Sequence, residues 1–331
     1  MIVLIIVSVF TFTLSISMNV SSIKDSLKIT MQNGNSRIES WFFQKEQMLN
    51  TVADSISLYS KDDIQGISSA LAVHNGKYDF LVDTYIGTDD NKMYCGSGWT
   101  PDADYVVTDR DWYVGVPTDG TIKYTSTYID ADSGLLVITI SRSVQDKSGN
   151  NFGVIAMDIT LSSLVELANN EKILDTDGKA FLLDNNFNII AHNDKTIIPA
   201  IVNGAEKYTN MKDLELNPDC FNLDSENPLR VSKGTNGKIV FFGLSTITNN
   251  GWSYGFEVPI YNFNSTYIML FVKWMIILAI MTVFSTYTTK KTVRKLLLPI
   301  NTLIDKTRQI SSGDTDIEFD IHTNDELEEL S

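Results

Sequence analysis

Residues 109–130, DRDWYVGVPTDGTIKYTSTYID, bring together a guanidinium (Arg110), an indole (Trp112), three phenols (Tyr113, Tyr124, Tyr128) and several carboxylates, Asp130 among them. A packed core has no use for that mixture, but a small charged ligand does. A planar guanidinium can donate two parallel hydrogen bonds to a carboxylate. An ammonium needs acceptors, and aromatic faces add attraction for a cation. Together these groups suit a zwitterion, because burying either of its charges requires a partner. Tyr124, Ser126, Tyr128 and Asp130 alternate, which predicts that they share one strand face. Further on, Asp158 stands inside VIAMDITL between Ile155, Met157 and Ile159. An unpaired carboxylate would be costly there, so Asp158 needs a cationic or donor partner.

Each residue also has an ordinary explanation. Trp112 and Tyr113, taken alone, fit core packing, and Tyr105 fits a cap on a sheet. Arg110 lies between Asp109 and Asp111 and fits a solvated ion pair worth under about 1 kcal/mol. Asp130 opens an Asp-Ala-Asp-Ser-Gly turn, a role that competes evenly with ligand contact. Asp158 is the hardest to explain away.

The elements that must position these side chains are readable from periodicity. Residues 1–18 and about 268–285 are apolar runs near the lower length limit for crossing a bilayer. KKTVRK follows the second run, and Lys290, Lys291, Arg294 and Lys295 mark that flank as cytoplasmic. Two spans with the C-terminus inside leave residues of about 20 to 266 outside the cell. The first run lacks a cationic start, as if a few cytoplasmic residues were missing before it. From Ser22 to about Tyr59 there is no proline, and an apolar stripe from Ile23 to Ile56 predicts an amphipathic helix. Its length favours a stalk over a core helix. Residues 79–98 read as two strands around Thr-Asp-Asp-Asn, and 121–161 as three strands with turns at 131–134 and 147–150. A short helix follows, with Thr160 or Ser162 as its N-cap. Residues 179–193 and 237–260 then form two further hairpins, over Asp-Asn-Asn and Asn-Asn-Gly.

Composition narrows the function classes. A net charge of −15 over 331 residues argues against nucleic acid as a partner. Cys95 and Cys220 are too far apart to imply a disulfide framework, and His74, His192 and His322 lack metal-site spacing, so neither a metal nor a cofactor is expected. No nucleophile–base set assembles, so the stretch carries no enzymatic activity of its own.

A helix, a sheet, a helix and a second sheet between two spans resemble the double Cache sensor regions of bacterial receptors. That resemblance implies an α+β fold with a long N-terminal stalk helix and two tandem PAS-like modules built on antiparallel sheets. The expected boundaries are a first span at 1–19, the stalk at 20–60, a membrane-distal module at 61–170, a membrane-proximal module at 171–266 and a second span at 267–288. Residues 289–331 resemble a truncated HAMP segment. In it Pro299 opens a first helix, Gly313-Asp314 begins a connector and Asp325-Glu326-Leu327 begins a second helix. HAMP implies a homodimer and a cytoplasmic output module. Family members that bind free amino acids share a set of residues matched here by Tyr105, Arg110, Trp112, Tyr113, Tyr128, Asp130 and Asp158. In that set Arg110 and Trp112 would hold the carboxylate, while Asp158, Tyr128 and Tyr105 would receive the ammonium. The expected function is thus a plasma-membrane chemoreceptor-like sensor of an amino acid. A biogenic amine, which needs Asp158 but not Arg110, is the alternative ligand, and a histidine kinase or a nucleotide cyclase an alternative output.

Overall fold

No proline interrupts residues 2–56, and they form a single helix, α1 (Ile2–Ile56). The expected first span and stalk are therefore one element with no joint. From Leu27 onward one stripe is buried: Leu27, Met31, Ile38, Phe42, Leu49, Val52 and Ile56. Their steps of three, four and seven residues keep these side chains on one helix face. Gly34 lies against the ring of Tyr254, where a Cβ would collide. The long N-terminal helix expected as a stalk is present, and over this stretch one of its faces also belongs to the core. The structure, a computed structural model, describes residues 2–146, 149–223, 228–248 and 250–312. It divides into a unit of residues 22–262 and a unit formed by the flanking segments 2–21 and 263–312.

In the 22–262 unit the first module begins with α2 (Ile64–Leu71), capped by Asp63, whose carboxylate accepts from the Gly66 N–H at 2.9 Å. Then come β1 (Leu81–Gly87), β2 (Met93–Cys95), β3 (Lys123–Tyr124), β4 (Tyr128–Ile129), β5 (Leu136–Gln145), β6 (Asn151–Thr160) and α3 (Leu161–Asn169). The antiparallel sheet runs β2-β1-β6-β5-β3, with β4 also on β5. Opposite residues of an antiparallel pair share a face. Thr139 lies opposite Asp158, and Ala156 lies opposite both Ser141 and Tyr85, so Tyr85, Thr139 and Asp158 project from the same side. Ile138, Ile140, Ile155, Met157 and Ile159 project from the other side and are fully buried. That side meets α1, where Arg142 donates to the Asn50 side chain at 2.5 Å.

One sequence expectation fails here. Tyr124 and Tyr128 do not share a face. Tyr124 pairs with Ile140 and Tyr128 with Val137, so four steps along one strand match three along the other. The extra residue is a bulge, and it reverses the side on which every later side chain projects. The Thr125 hydroxyl accepts the Thr139 N–H at 2.9 Å, in place of a regular ladder bond. Tyr124 consequently packs on Phe42 and bonds to Glu46 of α1, while Tyr128 faces Asp158.

The second module contains β7 (Lys179–Leu183), β8 (Ile189–His192), β9 (Ala200–Val202), β10 (Ala205–Lys207), β11 (Leu229–Lys233), β12 (Ile239–Thr246) and β13 (Ser253–Pro259). Its antiparallel sheet runs β11-β12-β13-β7-β8, and β9 and β10 form a separate hairpin that the sequence pattern did not predict. Tyr254 points to α1 from one face. The other face carries an apolar cluster built on Phe181, Leu183, Met211, Cys220, Phe242 and Leu244. Cys95 and Cys220 are both free and buried, one in each module.

In the flanking unit α4 spans Asn264–Ser311. Among the described residues one helical stretch, 260–309, is long and apolar enough to cross a membrane. Ile268, Phe271 and Phe284 on it are exposed. Phe12 of α1 meets Phe271 and Trp274 edge-on, with ring centroids 6.2 Å apart. Pro299 lies inside α4 instead of opening a helix; the helix continues through it and forgoes the one backbone bond that proline cannot donate. The expected HAMP connector at Gly313-Asp314 and the helix from Asp325 lie outside the described residues, as does His322.

Candidate functional site

The site grows from the face of the first sheet turned away from α1. Asp158, on the central strand β6, is 1% exposed. Its Oδ1 accepts hydrogen bonds from Thr139 Oγ1 at 2.6 Å, Tyr85 Oη at 2.8 Å and Tyr128 Oη at 3.1 Å. None of these bonds involves Oδ2. Burial pushes the carboxyl up to about 7; the three hydrogen bonds oppose the shift and the nearby Asp130 charge adds to it. Burial first, and then the charge on Asp158, drive both tyrosines well above their ordinary range, so they remain donors at neutral pH.

The opposite wall comes from the long connection between β2 and β3. A short 3-10 turn, Val107–Asp109, ends at Arg110. The Arg110 guanidinium stacks on the Tyr105 ring, 3.7 Å from its centroid. Neither Asp109 nor Asp111 pairs with Arg110, and no other carboxylate among the described residues does. Trp112 is buried and meets the Tyr85 ring edge-on at 4.9 Å. Gly87 permits this closure, since a Cβ there would collide with Trp112 and Val107. Burial raises the Tyr105 phenol above its ordinary range, and the neighbouring Trp112 and Arg110 oppose that rise only in part.

These groups line one cavity of about 320 Å³, small for a ligand site and of a size for a single metabolite. Tyr105, Arg110, Trp112, Tyr128, Asp130 and Asp158 all line it, but Tyr113 does not. The Tyr113 ring instead packs edge-on against Trp112 at 5.7 Å, behind the wall. Asp130 serves as a turn former too, since its Oδ2 accepts from Ser133 N and Oγ at 2.7 and 2.6 Å. Tyr85, Asp83, Asp132 and Glu206 also line the cavity and were not anticipated. Alternation along β1 places Tyr85 with Asp83 and was a usable signal. Asp83 is a structural acid, accepting from Asn75, Ser97 and its neighbour's N–H at 2.6 to 3.0 Å. Among the described residues no three His, Cys, Asp or Glu side chains converge as metal ligands.

The Cache domain family matches residues 17–266 of the sequence, and the HAMP domain family matches residues 291–331. This chain belongs to the Cache family. Among its curated relatives, the methyl-accepting chemotaxis protein McpC of Bacillus subtilis is 26% identical over 253 residues, which is 75% of this chain and 35% of McpC. TlpB of the same organism is 25% identical over 311 residues, 92% of this chain and 44% of TlpB. The chain therefore spans less than half the length of these relatives. Among solved structures, the ligand-binding domain of the Pseudomonas fluorescens chemoreceptor CtaA, in complex with L-isoleucine, superposes with a TM-score of 0.61. It is 19% identical, covers 74% of this chain and 96% of its own, and shares the fold. A Cache region followed by HAMP is the architecture of a signal-transduction receptor.

Proposed function

We propose that this chain is the sensing and linking part of a membrane receptor whose first, membrane-distal module binds a free amino acid. The observation that carries this reading is the pairing of two unsatisfied groups across one cavity. Among the described residues Arg110 has no ion-pair partner, and Asp158 is a buried acid whose three hydrogen bonds all fall on Oδ1. An α-carboxylate on Arg110 and an α-ammonium on Asp158 would satisfy both at once. The ammonium would also favour the ionised form of Asp158, lowering its pKa from about 7. Tyr128 and Tyr105 add oxygens and ring faces to the same recognition.

The apolar N-terminal residues of α1 and the apolar part of α4 would both cross the membrane. The cations at Lys290 to Lys295 place the C-terminal end inside. Two copies would pair through HAMP, and ligand would shift the dimer between two arrangements in proportion to its differential affinity for them. The stretch acts as a sensor without catalysis of its own and passes its signal to a cytoplasmic output module.

The test is a panel of L-amino acids titrated into the full chain in lipid nanodiscs, each beside its α-amide and N-acetyl derivative. The free amino acid should bind at least tenfold more tightly than either derivative. Equal affinity for the amide removes the carboxylate role of Arg110. Tight binding of decarboxylated amines with weak binding of the parent amino acids would establish the amine reading instead.

A further inference from the structure

The cavity's charges are unequal. Seven carboxyl groups line it against a single guanidinium. Asp109 and Asp111 adjoin Arg110 in sequence, Asp83 is saturated by donors, and Asp158 is assigned to the α-ammonium. Asp130, Asp132 and Glu206 remain. No Lys, Arg or His among the described residues pairs with any of them. Among the described residues no hydrogen bond to the Asp132 side chain is present, and its carboxyl is pushed upward by burial and then by the charges of Asp130 and Asp83.

Glu206 comes from elsewhere in the fold. It lies on β10, in the hairpin of the second module, yet it lines the cavity of the first. Its Oε1 accepts the Ile129 N–H of β4 at 2.7 Å. The Tyr208 hydroxyl sits against both the Glu206 carboxylate and the Thr127 carbonyl, its one proton shared between them. These contacts hold the acid beside Tyr128 and Asp130 on an edge strand only two residues long. Glu206, Asp130 and Asp132 line one cavity without a cationic partner among the described residues, so a cation that enters it is favoured.

We propose that Glu206 is a specificity-determining residue supplied by the second module, and that with Asp130 and Asp132 it selects amino acids whose side chain ends in a cation. This rests on the amino-acid reading above: the α-groups engage Arg110 and Asp158, and the side-chain ammonium or guanidinium reaches the uncompensated acidic wall. The wall compensates the cation, and the cation relieves the wall's self-repulsion.

The experiment titrates L-lysine and L-norleucine, which is similar in length but ends in a methyl group, into the full chain in nanodiscs. Wild type is compared with Glu206→Gln and Asp132→Asn. Lysine should bind wild type at least tenfold more tightly than norleucine. Each variant should shrink that ratio threefold or more while changing norleucine affinity less than twofold. Asp132 has no side-chain partner among the described residues, so its substitution should leave the fold intact even if Glu206→Gln disturbs the hairpin. Norleucine binding as tightly as lysine, or a ratio unchanged in both variants, overturns the proposal and leaves the amino-acid site standing. If neither compound binds, nor any other amino acid of the panel, the site reading itself has failed and the proposal with it.

Discussion

The two modules have the same framework and opposite interiors. The first is a six-stranded and the second a five-stranded antiparallel sheet, each with α1 on one face. On the other face, the first module places Tyr85, Thr139 and Asp158 around a cavity, whereas the second fills the space with Phe181, Phe242, Leu244 and Met211. The second module has its own buried acid on the same face. Glu257 on β13 accepts from the Thr235 N–H at 2.8 Å and from its hydroxyl, with His192 Nε2 at 3.9 Å. Burial lowers His192 to about 4, so it is neutral and the pair is not a true ion pair. The difference teaches that the fold provides a face and the side chains decide whether it binds. Asp158 lies among donors and rings beside open volume, where a ligand can reach it, whereas Glu257 is buried and bonded to Thr235.

Emptying the filled face should have the largest effect on stability. Phe242→Ala should cost about 3–5 kcal/mol of folding free energy, in the range for a buried phenylalanine, measured by denaturant unfolding. Ligand affinity of the folded chain should stay within a few-fold, and a larger loss would mean that the two faces are not independent. In the open face, Asp158→Asn should cost about 2–5 kcal/mol of binding, the range for truncating one member of a buried charged contact, or roughly thirty-fold or more in affinity. The melting temperature of the empty chain should not fall, because the substitution removes an acid that burial disfavours. A lower melting point with unchanged affinity would make Asp158 a structural acid like Glu257. A smaller effect is expected for Thr139→Val, which removes the closest donor to Asp158. Losing it should raise the carboxyl further and weaken binding at neutral pH by about 1 kcal/mol, several-fold by calorimetry.

Much of this comparison was legible in the sequence, for definite reasons. The hairpins announce themselves through Thr88–Asn91, Asp184–Asn186 and Asn250-Gly251, where turn chemistry interrupts alternating strands. Arg110 and Asp158 stand out because an unpaired charge is costly in a core, and Trp112 stands out only in their company. The bulge between Tyr124 and Tyr128 left no such mark, since it depends on the Thr125 hydroxyl replacing a ladder bond. Glu206 was invisible because its partner, Ile129, belongs to the other module and no local pattern links the two. The unbroken course of α1, and of α4 through Pro299, leaves no mark in the sequence, because a shift in composition does not require a break in the helix.

The most direct measurement is ligand affinity of wild type and Asp158→Asn across pH 5 to 8, with melting of the empty chain alongside. Folding raises the Asp158 pKa to about 7, so the empty folded state binds more protons than the unfolded state between about pH 4 and 7. Its contribution to stability therefore falls as pH rises through that window. Affinity for an ammonium should move the other way, because only the ionised acid receives it. Binding to wild type should tighten by up to about tenfold per pH unit below 7 and level off above, while Asp158→Asn should be weak and flat. A wild-type affinity that does not change between pH 5 and 8 would contradict the claim that the buried carboxylate of the first module holds the ligand's positive charge.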